Sequence, residues 1–224
     1  MKKSVYLEIK RRIVFLDYKP GQFLYTKELM KEFGVSLTPI REALIYLEAE
    51  GLIHIIPNRG ACVSEVSFQD LKDIFEVRLF LIGQSGRLAA QRITDEELTK
   101  MKKLLKKIKQ EKERKLLIQL DSEFHDLVNQ ATKNGALAKT LERLLNQVAR
   151  LWFFTREEND TYSSQIPEDF EKLIKALENK NQSRSEQILR NHVIHFIDQV
   201  KMSLSNEEAT SGVYSSQKDN SRSG

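Results

Sequence analysis

Residues 36–66 read SLTPIREALIYLEAEGLIHIIPNRGACVSEV. The first half predicts a helix: Ser36 or Thr38 can cap it, Pro39 is tolerated in its first turn, and Ile40, Leu44, Leu47 and Leu52 repeat at helical spacing. The second half holds two short β-prone runs around Pro57-Asn58-Arg59-Gly60, which is a hairpin signal. Upstream, the apolar positions from Val5 to Leu16 suit a short helix that Asp17-Tyr18-Lys19-Pro20-Gly21 ends. Thr26 can cap a second helix through Leu29, Met30 and Phe33, and Gly34 is placed to close it. Three helices followed by a hairpin predict a winged helix-turn-helix over residues 1–66.

Beyond Ser67 every segment carries helical spacing. The stretch FQDLKDIFEVRLFLIGQSGRLAAQRI is apolar nearly all round between Val77 and Ile82, which predicts a helix buried on two sides. Thr94 and Glu97 form a capping box, followed by an inward stripe of Met101, Leu104, Leu105 and Ile108. The nine cations between Lys100 and Lys115 fill the rest of that helix and its end, and they read as a solvated face rather than a nucleic-acid groove. Further helices are expected at about 116–132, 135–157, 167–179 and 183–204, separated by the turn signals Lys133-Asn134-Gly135, Asn159-Asp160 and Asn179-Lys180-Asn181. The fold class is therefore mainly α, with an antiparallel all-helical bundle over 67–207 behind the winged module. Residues 208–224 have too little apolar content to offset the entropy of ordering and are expected to be disordered.

Composition narrows the function. The 224 residues carry 36 basic and 32 acidic side chains, a balance of +4 that points only weakly to nucleic acid. The lone Cys62 cannot form an internal bridge, so a reducing compartment, the cytoplasm, is expected. No apolar run approaches the roughly 20 residues of a membrane helix, and the N-terminus lacks the pattern of a signal peptide, so no membrane partner is expected.

A recognition helix presents its first residues to base edges while the preceding helix crosses the phosphates. Ser36, Thr38 and Arg41 occupy the first turns opposite the Ile40–Leu44–Leu47 stripe, and arginine there can donate a bidentate pair to guanine. Lys27 at the start of the second helix and Arg59 at the hairpin tip can reach phosphates or a narrow minor groove. Any small domain also exposes a few cations in this way, and the wing is what favours DNA. The stretch LTPIREALIYLEAEGLIHIIPNRGACV closely resembles the DNA-binding domain of GntR-type bacterial transcription regulators, over roughly residues 5–66. That resemblance implies operator contacts from Lys27, Ser36, Thr38, Arg41 and the wing residues Asn58, Arg59 and Gly60. Leu37 departs from it, since some members carry arginine there, which puts one contact in doubt. The stretches FEVRLFLIGQSGRLAA and DSEFHDLVNQAT resemble the FCD effector-binding domain of the FadR subfamily.

In the second part, polar residues fall on apolar stripes. Asp121 and His125 sit one turn apart among Leu117, Phe124 and Val128, and His192 lies among Ile188, Leu189 and Phe196. A buried charge needs compensation, here by an internal Asp121–His125 ion pair, by a metal, or by a polar ligand. The resemblance implies an aspartate, a histidine four residues on and two later histidines around a divalent metal. Asp121, His125 and His192 match three of these positions, while Phe170 stands where the fourth histidine is expected. Three ligands could still hold zinc or nickel, at reduced affinity. His195 falls on the polar side of its helix and is a poor substitute.

Arg78 lies on the Leu71–Phe75–Ile82 stripe and needs an anion, either a small carboxylate effector or a glutamate from another helix. Asn129 and Arg150 are further effector-pocket candidates, Arg150 with solvent exposure as the alternative. The function expected is a homodimeric regulator, most often a repressor in the resembled family, that reads a palindromic operator and responds to a small carboxylate. A constitutive DNA-binding protein with a structural bundle is one alternative. A metal-dependent hydrolase is the other, disfavoured because no acid–base pair, nucleophile elbow or glycine-rich phosphate loop accompanies the three ligands.

Overall fold

The computed structural model describes residues 2–65, 68–153 and 161–216. It is mainly α, with one small sheet near the N-terminus. Packing divides the chain into two compact units, residues 1–77 with 139–153 and residues 78–138 with 154–224.

The first unit opens with α1 (Lys2–Val14), β1 (Phe23–Tyr25), α2 (Thr26–Phe33) and α3 (Leu37–Ala49). The hairpin β2 (Ile53–Ile56) and β3 (Gly60–Val63) follows. Gly34 closes α2 in the left-handed conformation at φ 62°, its N–H donating to the Met30 carbonyl, and Ser36 starts α3 from an extended backbone. The sheet order is β1-β3-β2, both pairs antiparallel, with Phe23 opposite Cys62 and Ile56 opposite Gly60. The three-residue β1 extends the expected hairpin into a sheet. At the wing turn Asn58 takes φ 62° and Gly60 φ 148°. A Cβ on Gly60 would sit 2.0 Å from the Leu24 carbonyl oxygen, so the pairing of β1 with β3 requires glycine there.

Ile9, Ile13, Leu29, Ile40, Leu47, Leu52 and Val63 are among the residues that close one core beneath the sheet. Residues 139–153 join this unit through polar ties. Lys10 Nζ lies 2.8 Å from Glu142 and 3.1 Å from Glu50, and Gln147 donates to the Glu50 carbonyl at 3.1 Å.

The second unit is built from α4 (Phe68–Arg92), α5 (Asp95–Gln110), α6 (Arg114–Ala131), α7 (Gly135–Ala149), α8 (Thr161–Glu178) and α9 (Gln182–Ser216), with α4 and α7 shared between the units. The Thr94–Glu97 capping box forms in both directions. Leu98, Met101, Leu104, Leu105 and Ile108 are buried, while lysines of the same helix pair outward, Lys100 with Glu96 and Lys109 with Glu171, each at 2.7 Å. Gly86 lets α4 cross α9 closely, since a Cβ there would come within 2.7 Å of the Ser185 carbonyl oxygen.

Four expectations are corrected. The apolar helix is not covered on two sides within this chain: Val77 is 50% and Phe80 73% exposed. Helix α7 ends at Ala149 and passes into a 3-10 turn, Arg150–Phe153, short of the expected 157. Helix α8 starts at Thr161 rather than near 167, so Pro167 lies inside the helix instead of opening it. Helix α9 carries helical backbone to Ser216, into the stretch expected to be disordered. The Asn159-Asp160 turn signal and residues 217–224 lie outside the described residues.

Candidate DNA-reading face and buried metal-ligand cluster

The amphipathic pattern of α3 decides which residues face outward. Pro39, Ile40, Ala43, Leu44 and Leu47 are buried in the core of the first unit, which leaves Ser36, Thr38 and Arg41 exposed on the opposite side. The Ser36 hydroxyl makes no capping bond, so it is not consumed by the helix it precedes. Lys27 is exposed in the first turn of α2, and Asn58 and Arg59 are exposed at the wing tip. Gly60 differs from these: it is buried against Leu24, and its part is to shape the turn.

Some other cations of this unit are spent on acids. Arg11 and Arg12 both bind Glu8, and Arg12 also reaches Glu32. Among the described residues, by contrast, Lys27, Arg41 and Arg59 make no ion pair with a protein carboxylate. Exposed cations without an internal partner, carried on a helix start and a hairpin tip, are free to meet phosphates and base edges.

The second unit brings the metal candidates together. Asp121 and His125 project from one face of α6 and meet His192 from α9, with a ligand atom of each within 4.8 Å of the others, all three buried. His192 Nε2 lies 3.3 Å from Asp121 Oδ1, and His125 Nε2 lies 3.9 Å from Asp121 Oδ2. Asp121 Oδ1 has that contact with His192 alone, and both ring nitrogens of His125 have no hydrogen-bond partner among the described residues. Burial pushes His125 down to about 3, against the pull of Asp121, so it is a neutral imidazole with a lone pair to offer. Burial alone would raise Asp121, but His125, His192 and Arg78 outweigh it and hold the carboxyl below its usual range. His192 is moved the other way: its burial is outweighed by Asp121 and Asp169, which favour its charged form.

Asp169, to which the sequence reading gave no part, reaches the cluster from α8. Its Oδ2 lies 3.2 Å from His192 Nδ1, an arrangement that directs Nε2 toward Asp121. It also lies 3.7 Å from Nδ1 of His195, whose side chain is largely outside the cluster. The available signal was a carboxylate beside Phe170 on the inward face of an amphipathic helix. Phe170 itself stacks on Phe124 at 3.8 Å, meets the edge of His125 at 5.9 Å, and walls one side of the cluster without offering a ligand.

Arg78 is buried, and its charge acts on both Asp121 and His125. Asn129 is buried, with its Oδ1 accepting from the Ser85 hydroxyl at 3.0 Å. Arg150 does not join them. It belongs to the first unit, is buried rather than exposed, and donates to the Ser64 carbonyl.

Comparison with known proteins agrees with both halves. The FCD domain matches residues 73–195, and the bacterial regulatory proteins of the gntR family match residues 1–63. The chain is 29% identical over 203 residues to the uncharacterized HTH-type transcriptional regulator YdhC of Bacillus subtilis (strain 168), covering 88% of this chain and 89% of that protein. It is 31% identical over 156 residues to the HTH-type transcriptional repressor RspR of Escherichia coli (strain K12), covering 68% of each. Among solved structures, E. coli McbR/YncC superposes with a TM-score of 0.81 at 23% identity, over 91% of this chain and 98% of that one, a likeness of fold. The chain belongs to the GntR family of bacterial regulatory proteins, in the branch that carries an FCD domain. It is a DNA-binding transcriptional regulator, not an enzyme.

Proposed function

We propose that this regulator acts as a homodimer whose two α3 helices read the halves of a palindromic operator. In the same proposal Asp121, His125 and His192 hold a divalent ion, zinc or nickel, and Arg78 receives the carboxylate of a small effector. The observation that carries the sensing half is the pair of buried, unpartnered ring nitrogens of His125 beside Asp121. A satisfied Asp121–His125 ion pair would close up, whereas these two groups stand 3.9 Å apart with both imidazole nitrogens unused.

Three ligands leave a position open, and an ion bound there would take an effector oxygen as a further ligand. The chain's own residues do the rest. Asp169 orients His192, the Phe124–Phe170 stack keeps water from one side, and Arg78 supplies a buried positive charge suited to a carboxylate. The exposed Val77 and Phe80 on α4 support a second copy of the chain as partner, because large apolar side chains at a protomer surface are a common mark of association. Two reading helices held one DNA turn apart then combine their affinities. Effector binding would shift the dimer between conformations with different operator affinity, through a coupling of about 1–3 kcal/mol. RspR is named a repressor, and repression in the cytoplasm is the sense proposed here. Among the described residues, no helix is long and apolar enough to cross a membrane.

The test is operator affinity by fluorescence anisotropy, on DNA fragments selected with the full chain. The metal-stripped protein is compared with the same protein given zinc and then zinc with citrate. Native mass spectrometry should find about one zinc per chain. Affinity should change roughly 5- to 150-fold between states, and His125→Ala should lose both zinc and the response while still binding DNA. Zinc uptake without any change in affinity, in the absence or presence of citrate, would remove the sensing role.

A further inference from the structure

The buried guanidinium of Arg150 has a second consequence, separate from the bundle cluster. It lines a cavity of about 340 Å³ within the first unit, together with Gly51, His54, Ser64, Glu65, Asp73 and Gln147. That volume lies at the small end of the range for small-molecule sites. Arg150 is only 1% exposed, and among the described residues its one hydrogen-bond partner is the Ser64 carbonyl. Its Nε is buried without a hydrogen-bond acceptor, as is the hydroxyl of Ser64 beside it. No carboxylate among the described residues pairs with Arg150, and burial alone pushes it down to about 10. A buried guanidinium with an unused N–H is costly unless an anion completes it.

The rest of the lining restricts what that anion can be. One carboxylate of the lining, Glu65, shares the cavity with the single arginine. It disfavours a phosphate or a dicarboxylate by repulsion and favours a ligand that carries a positive charge at its other end. The lining also comes from elements far apart in sequence: the wing strand β2 (His54), the segment after β3 (Ser64, Glu65), α4 (Asp73) and the end of α7 with the turn after it (Gln147, Arg150). An occupant would therefore tie the wing to the helices packed behind it.

We propose that this cavity is a binding site for a small zwitterion of the α-amino-acid class, its carboxylate accepting from Arg150 and its ammonium facing Glu65. The site is independent of the ion and effector proposed for the bundle, since it uses none of their residues.

The experiment follows the Arg150 Nε–H resonance by NMR, and affinity by calorimetry, on the full chain. The probes are L-glutamine and L-leucine, with acetate as a carboxylate that lacks the ammonium. Both amino acids should shift the Arg150 resonance saturably and bind at least about tenfold more tightly than acetate. Arg150→Gln should lose at least about tenfold in affinity for them. Glu65→Gln, at an exposed position, should weaken the amino acids while leaving acetate unchanged. An unshifted Arg150 resonance at saturating amino acid would overturn the proposal, as would equal binding of acetate. If Arg150→Gln fails to fold, Glu65→Gln decides: an undiminished preference for the amino acids over acetate in that variant overturns the assignment.

Discussion

At the scale of single residues, the exposed positions of the reading face were legible because they are what a helical core stripe leaves over. Once Ile40, Leu44 and Leu47 are assigned inward, Thr38 and Arg41 have only solvent to face. The buried trio was legible for the converse reason, polar residues on apolar stripes. What the sequence hid is how such residues pair across helices: Asp169 with His192, and Arg150 with Ser64 rather than with the bundle. Two predictions belong here. Asp169→Asn should weaken zinc binding by roughly 10- to 100-fold while leaving the helical circular dichroism unchanged, since it removes only the carboxylate that orients His192. A zinc affinity equal to the parent's would deny Asp169 that part. Gly60→Ala should cost more than about 2 kcal/mol in urea denaturation, because its Cβ would collide with the Leu24 carbonyl at a positive φ. A cost below 1 kcal/mol would mean that the wing relaxes freely around that turn.

Element by element, the start of α5 and the end of α2 fall where their capping box and glycine predict, while the end of α7, the start of α8 and the end of α9 do not. The box at Thr94 and the glycine at 34 each satisfy groups that helix ends leave open, so they mark boundaries in sequence as well as in structure. Strand β1 spans three residues and owes its existence to pairing with β3, a long-range contact with no local pattern. Helix α4 misled differently: an all-round apolar pattern predicts cover, but Val77 and Phe80 are exposed. Helix α1 carries a pH-dependent element of stability. Hydrogen bonds from Arg11 and Arg12 lower Glu8 to about 2 from the usual 4.5. The folded chain then binds fewer protons than the unfolded chain across that interval, so the contribution is complete above pH 4.5 and is lost as pH falls toward 2. Glu8→Gln should flatten this acid limb in stability curves taken between pH 5 and 2.5. An unchanged limb would show that the ion pairs are too exposed to matter.

For the whole molecule, one chain carries two separately built features: exposed, unpaired cations on a winged module, and a buried cluster of Asp121, His125 and His192 inside helices. Neither depends on the other for its local geometry, which is what a regulator needs if occupancy at one site is to bias the other through conformation. From the change of hairpin signals to unbroken helical spacing a division near residue 67 was readable, whereas the compact units part at Val77, within α4. The membership of residues 139–153 in the first unit was not readable, because it rests on ties such as Lys10–Glu142 that span most of the sequence. The most direct measurement is the affinity of Arg41→Ala for operator and for random-sequence DNA, by anisotropy at fixed salt. Loss of a base-reading arginine should cost about 1–3 kcal/mol on the operator and far less on random DNA, with the fold intact because the side chain is exposed. An equal loss on both DNAs, or none on the operator, would contradict sequence reading by α3.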